Sequence, residues 1–293
     1  MTAYLYSFLL ALTFLGISRF VTNRFVLWAG VLLVLTGVHL LHLDTLPFGR
    51  MVVICSALLI CMKGIILAEW GGRLTWPRWF MFTFLWFGMD PIPFAGKKRE
   101  LTWRKDALIG LGCLLVGLIL SVVVAHMDTS FILIMFVPLS IAFHYGALRL
   151  LTAFWRMRGI AVRPLFRNPL VSRGLADFWA KRWNLSFSQM MARAVQRPVR
   201  AKAGKRTALF AVFLASGLLH ELAITVPVQS GYGLPTLYFT MHGLVVLLEK
   251  ETWPLWFTRP MALVLVAAPL PFLFPTVFTE EVIRFTLNFL QIF

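Results

Sequence analysis

What most constrains this chain is a series of apolar runs, each about as long as a bilayer is thick. A membrane-crossing helix needs about 20 mainly apolar residues, and runs of that kind recur at 3–19, 25–42, 51–68, 107–125, 130–148, 207–226, 233–248 and 260–275. Composition agrees: 59% of residues are hydrophobic, 14% are charged, and mean hydropathy is +0.81, outside the range of a soluble domain. The expectation is an all-α polytopic integral membrane protein of about eight to nine transmembrane helices with re-entrant or interfacial helices added. Residues 277–293 form the ninth candidate, but Glu280, Glu281 and Arg284 at their start suit an interfacial position equally well. Residues 76–94 are apolar but stopped by Asp90, Pro91 and Pro93, which predicts a re-entrant or interfacial piece.

Charge is concentrated in one segment. Fourteen Lys and Arg residues lie between Arg149 and Arg206 against the single acid Asp177. The positive-inside rule then puts residues 149–206 in the cytoplasm and, with eight spans, the amino terminus outside. Topology and anionic lipid account for the pI near 10.7, so nucleic acid is not an expected partner. No basic residue precedes the first run, which reads as a retained helix and not a cleaved signal. Cys55, Cys61 and Cys113 all fall in predicted spans without a CxxC pair, supporting neither a disulfide framework nor a thiolate metal site.

Within the sixth run stands His220-Glu221, and ionisable groups at bilayer depth are expensive enough to be functional candidates by default. Upstream, residues 168–191 offer Ser172 as a helix cap, followed by Leu175, Phe178, Trp179 and Leu185 at helical spacing, interleaved with Lys181, Arg182 and Asn184. Taken alone, this stretch suits an interfacial helix with aromatic anchors and snorkelling cations.

Together the two features resemble a known signature. Phe178-Trp179-Ala180-Lys181-Arg182-Trp183-Asn184-Leu185, followed about 30 residues later by Ser216-Gly217-Leu218-Leu219-His220-Glu221-Leu222, is similar to the paired motif of membrane-bound O-acyltransferases, and within them to the wax synthase branch, which includes bacterial members. The resemblance covers residues 164–250. It implies a single membrane-embedded acyltransferase domain over 1–293, a bacterial inner membrane location, acyl-CoA as co-substrate with no cofactor, and a lipid or small-molecule alcohol as acceptor. It also implies catalytic roles for His220 and Asn184. Asn at the second position leans toward an alcohol acceptor over a polymer. At 293 residues the chain is shorter than most of the superfamily.

The chemistry fits those residue types. Transfer from a thioester to a hydroxyl requires a base for the alcohol proton and a donor for the oxyanion. Imidazole, with an ordinary pKa near 6.5, suits the first task, and a side-chain amide suits the second. Direct transfer is favoured over a covalent intermediate, because Ser216, four residues before His220, is more simply bonded to its own backbone. Glu221 points about 100° away from His220 on a helix; it reads either as a carboxyl paired with an Arg or backbone group, or as a contributor to the acceptor site. The substrate-binding candidates are Trp179, Lys181, Arg182, Trp183, Glu221 and Ser216. Lys181 and Arg182 lead for the CoA phosphates, and Arg163, Arg167 and Arg173 follow.

Other polar groups carry weaker readings. His144 and His242 could line the same cavity or serve interhelix hydrogen bonds. His39 and His42, followed by Asp44, look like a metal pair only superficially, and no metal is expected. Lys63 is expected to snorkel or to pair with an acid. Trp76, Trp79, Trp253 and Trp256 suit an aromatic belt. Two further readings stand beside the wax-synthase-type enzyme: the same architecture acting on a sterol, terpenoid, glycerolipid or other hydroxyl, and a transporter relaying protons through buried His and Glu. The transporter reading predicts an internal repeat, and none is found.

Overall fold

A computed structural model describes residues 2–97, 99–127, 132–284 and 287–288. Every predicted apolar run coincides with a helix. The longer elements are α1 (Thr2–Ile17), α2 (Arg24–Leu41), α3 (Pro47–Trp70), α4 (Trp76–Phe84), α5 (Arg104–Ala125), α6 (Ile132–Met157), α7 (Leu185–Val228), α8 (Leu234–Leu248) and α9 (Leu255–Leu273). Six of them, α2, α3, α5, α6, α7 and α9, are long and apolar enough to cross a bilayer; α1 and α8 are shorter. No strand occurs among the described residues. The ninth predicted run, 277–293, begins as a short helix, Thr276–Phe278, continued by a π-turn, Thr279–Ile283; residues 285, 286 and 289–293 lie outside the described set.

Local sequence sets the helix ends. The Asn23 side chain accepts the amides of Phe25 (2.9 Å) and Val26 (3.4 Å) to start α2. Pro47 begins α3, and Gly71 ends it in the left-handed conformation. The buried Arg50 satisfies chain ends that apolar neighbours cannot. Its guanidinium donates to the carbonyls of His42, Leu43 and Thr45 beyond α2 and, at 3.0 Å, to that of Pro227 near the end of α7.

Residues 76–94, expected to be re-entrant or interfacial, fold as the nine-residue α4, an irregular stretch over 85–91, and the start of the short helix Ile92–Ala95. Lys63 holds this piece in place, and the expectation that it snorkels or pairs with an acid is corrected. Lys63 is fully buried in α3, and its ammonium donates to the carbonyls of Phe82 (2.9 Å) and Gly88 (2.5 Å) while sitting over the Phe82 ring. Backbone carbonyls freed by the end of α4 replace the missing carboxylate.

The most consequential feature is a reversal in α7. Phe187 and His220 are 33 positions apart, about 50 Å along a straight helix, yet their rings are 5.6 Å apart. The helix doubles back at Gly204, whose backbone (φ 81°, ψ 176°) is non-helical in a region that favours glycine. Arms 185–203 and 205–228 thus form a hairpin, with Lys202, Lys205 and Arg206 at its tip. The basic segment 149–206 is therefore largely helical and internally engaged instead of being a free loop. Arg149 and Arg156 of α6 both pair with the buried Asp106 of α5 (2.9 and 2.6 Å), and Arg193 pairs with Asp90 of the 76–94 piece at 2.9 Å.

Candidate functional site

Two side chains from opposite arms of the α7 hairpin define the site. His220 ends a regular helical stretch, and a π-turn, Glu221–Thr225, follows it directly. Such one-residue excesses in a helix frequently occur at functional positions. Its ring lies between Phe239 (4.2 Å between centroids) and Phe187 (5.6 Å). The Nδ1–H donates to the Ser216 carbonyl at 2.6 Å, which leaves Nε2 as the acceptor in the neutral ring. Nε2 has no hydrogen-bond partner among the described residues. Ser216 itself donates its hydroxyl to the Val212 carbonyl at 2.8 Å, the backbone bond expected of a serine in such a helix.

Asn184 begins the first arm in a left-handed conformation, φ 43° and ψ 64°. Asparagine adopts this conformation more readily than most residues. Its Oδ1 accepts the Phe187 amide at 3.2 Å, so the carbonyl side is committed to capping and the NH2 has no partner among the described residues. Asn184 lines a mainly apolar cavity of about 230 Å³ together with His144, Phe166, Phe187 and Leu219. His220 does not line that cavity, but its ring lies against Phe187, which does.

His144 is the one weakly read histidine that reaches the cavity. It sits in the π-helical stretch Ile141–Ala147 of α6, bonds Ser140 Oγ through Nδ1 at 2.9 Å, and stacks on Phe166 at 4.2 Å. His242 does not reach it: both ring nitrogens face backbone carbonyls, of Tyr238 at 2.7 Å and of Leu265 at 3.1 Å. His42 is likewise engaged, by Ser7 (3.0 Å) and Thr45 (3.1 Å). Among the described residues no three His, Cys, Asp or Glu side chains are arranged to hold a metal ion.

The aromatic-basic motif folds differently from the single stripe its spacing predicts. Ser172 does not cap it; the Ser172 hydroxyl turns back to the Pro169 carbonyl, and the Glu249 carboxylate takes the amides of Leu175 (3.0 Å) and Ala176 (2.8 Å). The helix Leu175–Asp177 passes into a π-turn, Phe178–Arg182, and breaks at Trp183, so Leu185 belongs to the next helix. Trp183 stacks with Phe178 and meets His144 edge-on at 5.3 Å. Trp179 packs on Phe239 and His242, its indole N–H buried without a partner among the described residues.

The two leading phosphate candidates are engaged within the motif. Arg182 pairs with Asp177 at 3.0 Å, and the exposed Lys181 reaches the same carboxylate at 3.5 Å. Partial burial pushes the Asp177 carboxyl up, but the hydrogen bonds from Arg182 and the Arg173 amide and the two positive charges outweigh this and hold it below its ordinary value. Glu221 has no arginine partner among the described residues. Its Oε1 accepts the amides of Gly233 (3.0 Å) and Thr236 (3.0 Å) and the Thr236 hydroxyl (2.8 Å), and its Oε2 accepts the Thr225 hydroxyl at 2.5 Å. A carboxylate of α7 therefore caps the amino end of α8. At Gly217 the two helices touch so closely that a Cβ would lie 2.6 Å from Thr236 Cα.

Fold and site together describe a multi-pass, all-helical integral membrane protein whose paired polar groups are carried on a folded-back helix. Residues 162–241 match the model of the Membrane bound O-acyl transferase family. The chain is also 34% identical over 106 residues to "Probable long-chain-alcohol O-fatty-acyltransferase 6" of Arabidopsis thaliana, covering 34% of this chain and 25% of that protein. It is 32% identical over 100 residues to "Probable long-chain-alcohol O-fatty-acyltransferase 2" of the same plant (31% and 29% covered), and 28% identical over 100 residues to the "Long-chain-alcohol O-fatty-acyltransferase" of Simmondsia chinensis (31% and 28% covered). This part of the chain is therefore similar to the membrane-bound O-acyltransferase family, on its wax-synthase-like side. The matched stretch spans about a quarter to a third of those relatives' own lengths.

Proposed function

We propose that the protein transfers an acyl group from acyl-CoA to the hydroxyl of a long-chain alcohol, with His220 as general base and Asn184 as the oxyanion donor. The family match of residues 162–241 and the similarity of about a third of the chain to proteins named for that reaction support the acceptor class. The observation that carries the chemistry is the His220 ring itself: with Nδ1–H committed to the Ser216 carbonyl, the lone pair is on Nε2, the nitrogen that a base must leave open.

In the proposed reaction the alcohol oxygen attacks the thioester carbonyl carbon as Nε2 takes its proton. The Asn184 NH2 donates to the developing oxyanion. Collapse breaks the carbon–sulfur bond, and the imidazolium returns the proton to the departing thiolate, giving ester and free CoA. The 230 Å³ cavity lined by Asn184, Leu58, Leu59, Met62 and Phe166 suits an apolar chain. We place this activity in a single domain over 1–293 of a bacterial inner membrane, with the basic segment 149–206 toward the cytoplasm.

The test is esterification by purified protein given labelled acyl-CoA and a panel of alcohols. Ester formed by the wild type and lost in His220→Ala and Asn184→Ala supports the proposal. No ester from any donor and acceptor pair, or full turnover in a folded His220→Ala protein, rejects it.

A further inference from the structure

Behind the apolar cavity lies a second one of about 360 Å³ with a different character. The two share the irregular stretch 86–90 as a wall: Phe87 and Met89 line the apolar cavity, whereas Trp86, Gly88 and Asp90 line the other. Leu165 borders both. The dividing stretch is firmly held. Lys63 bonds the Gly88 carbonyl, the Ser186 hydroxyl bonds the Phe87 carbonyl at 2.7 Å, and Asp90 pairs with Arg193.

The second cavity is lined by three cations, Lys97, Arg99 and Arg163, together with Gln189. Its one carboxylate, Asp90, is already matched by Arg193. In and around the basic segment Arg149, Arg156, Lys181, Arg182 and Arg193 have carboxylate partners. The exposed side chains of Lys97, Arg99 and Arg163 have none among the described residues, which is equally true of Arg158, Arg167, Arg173 and the 197–206 cluster; what sets the three apart is that they line one cavity. The backbone gathers them deliberately. The Arg99 amide bonds the Gly159 carbonyl at 3.1 Å, bringing Arg99 beside the stretch that carries Arg163, and Arg78 fixes the preceding turn through the carbonyls of Phe94 (3.0 Å) and Gly96 (2.7 Å). Like charges gathered without counter-charges repel one another, and an anion relieves that repulsion through charge-assisted hydrogen bonds.

We infer that this cavity binds the phosphate groups of the acyl donor, with Arg99 and Arg163 as principal contacts and Lys97 assisting. The inference rests on the acyl-CoA reading above and moves the donor's head away from Lys181 and Arg182, whose charges Asp177 occupies. An amphipathic thioester then has its phosphates on one side of the 86–90 wall and its apolar chain on the other, beside Asn184. A phospholipid headgroup offers the same phosphate chemistry and is distinguished below.

Calorimetric binding of CoA and of pantetheine, which lacks the phosphates, to the full-length protein in detergent tests the assignment without needing ester formation. CoA is expected to bind and pantetheine not to. Arg99→Gln and Arg163→Gln should each raise the CoA Kd about tenfold, and the pair about a hundredfold, with thermal unfolding unchanged and Arg200→Gln behaving as wild type. A CoA Kd unaltered in the folded double variant overturns the inference. So does a result in which phosphatidylglycerol nanodiscs bind through Arg99 and Arg163 while CoA binding is indifferent to both, since that assigns the cavity to lipid. Failure of ester formation with CoA binding intact and arginine-dependent would instead count against the proposed reaction and leave this site standing.

Discussion

Glu221 shows how the structure turns an ambiguous acid into a measurable one. Its carboxylate receives two amides and one hydroxyl from the start of α8 and one hydroxyl from its own helix. Glu221→Ala removes an N-terminal cap, worth about 0.5–2 kcal/mol, and a charge favourably placed on the α8 dipole, worth about 0.3–2 kcal/mol in a partly buried setting. The sum is about 1–4 kcal/mol. For a chain of this size that corresponds to a fall in Tm of roughly 2–8 °C by the usual scaling. Glu221→Gln keeps an acceptor for the α8 amides but loses the charge and presents an NH2 to one set of donors, so its cost should be about half as large. The assay is thermal unfolding in detergent followed by tryptophan fluorescence, with acyl transfer measured well below Tm. A double-mutant cycle with Thr236→Val should return a coupling of about 1 kcal/mol or more. The reasoning is refuted if Glu221→Gln unfolds at the wild-type temperature yet abolishes turnover, because the carboxylate would then act in the chemistry and not in joining α7 to α8.

Further outcomes follow from the same geometry. Asn184→Gly retains the left-handed backbone that φ 43° requires and deletes the amide, so it should fold like wild type while losing about 100-fold or more in kcat; rescue of turnover by glycine would show that only backbone shape matters. Arg182→Gln should leave the KM for acyl-CoA unchanged and lower stability at neutral pH. Because the folded Asp177 carboxyl lies below its ordinary value, its contribution is present above the ordinary carboxylate range and is lost as pH falls through the folded value; the stability gap between wild type and Arg182→Gln should therefore close on acidification, and a gap that widens in acid contradicts the assignment. Lys63→Met strands the buried Phe82 and Gly88 carbonyls at about 1–3 kcal/mol each, and unfolding at the wild-type temperature would show that neither bond stabilises the 76–94 piece.

Helix positions were legible because run length alone decides which segments are apolar enough to cross, and the eight predicted runs each overlap a helix; the stop expected at Asp90-Pro91 comes earlier, with α4 ending at Phe84 and a short helix starting after Pro91. Asn184 and His220 were legible as a pair through their motifs, but what joins them was not. The reversal at Gly204 leaves no apolar signature, since Arg193, Arg197 and Arg200 make the first arm look like part of a basic loop. Sequence reasoning had Lys63 snorkel or meet an acid and left Glu221 open between an Arg or backbone partner and the acceptor site, whereas Lys63 engages backbone carbonyls and Glu221 engages amides and hydroxyls of α8 and its own helix. Asp177 illustrates a finer limit: regular helical spacing favours Lys181 four positions on, but the π-turn at Phe178–Arg182 brings Arg182, five positions on, into the shorter contact. His144 and the Lys97, Arg99 and Arg163 group carried no motif. Only the packing of α6 and the bond from the Arg99 amide to the Gly159 carbonyl bring them to cavities.

The central claim is that Nε2 of His220 takes the proton of the attacking hydroxyl. Single-turnover transfer of a labelled acyl group from acyl-CoA to a long-chain alcohol, compared between wild type and a His220→Gln protein of matched thermal stability, tests it directly. The account predicts ester formation by the wild type with a rate rising through the titration of one group, and a loss of about 100-fold or more with no such pH dependence in His220→Gln. A folded His220→Gln protein that forms ester at the wild-type rate with the same pH profile would contradict it.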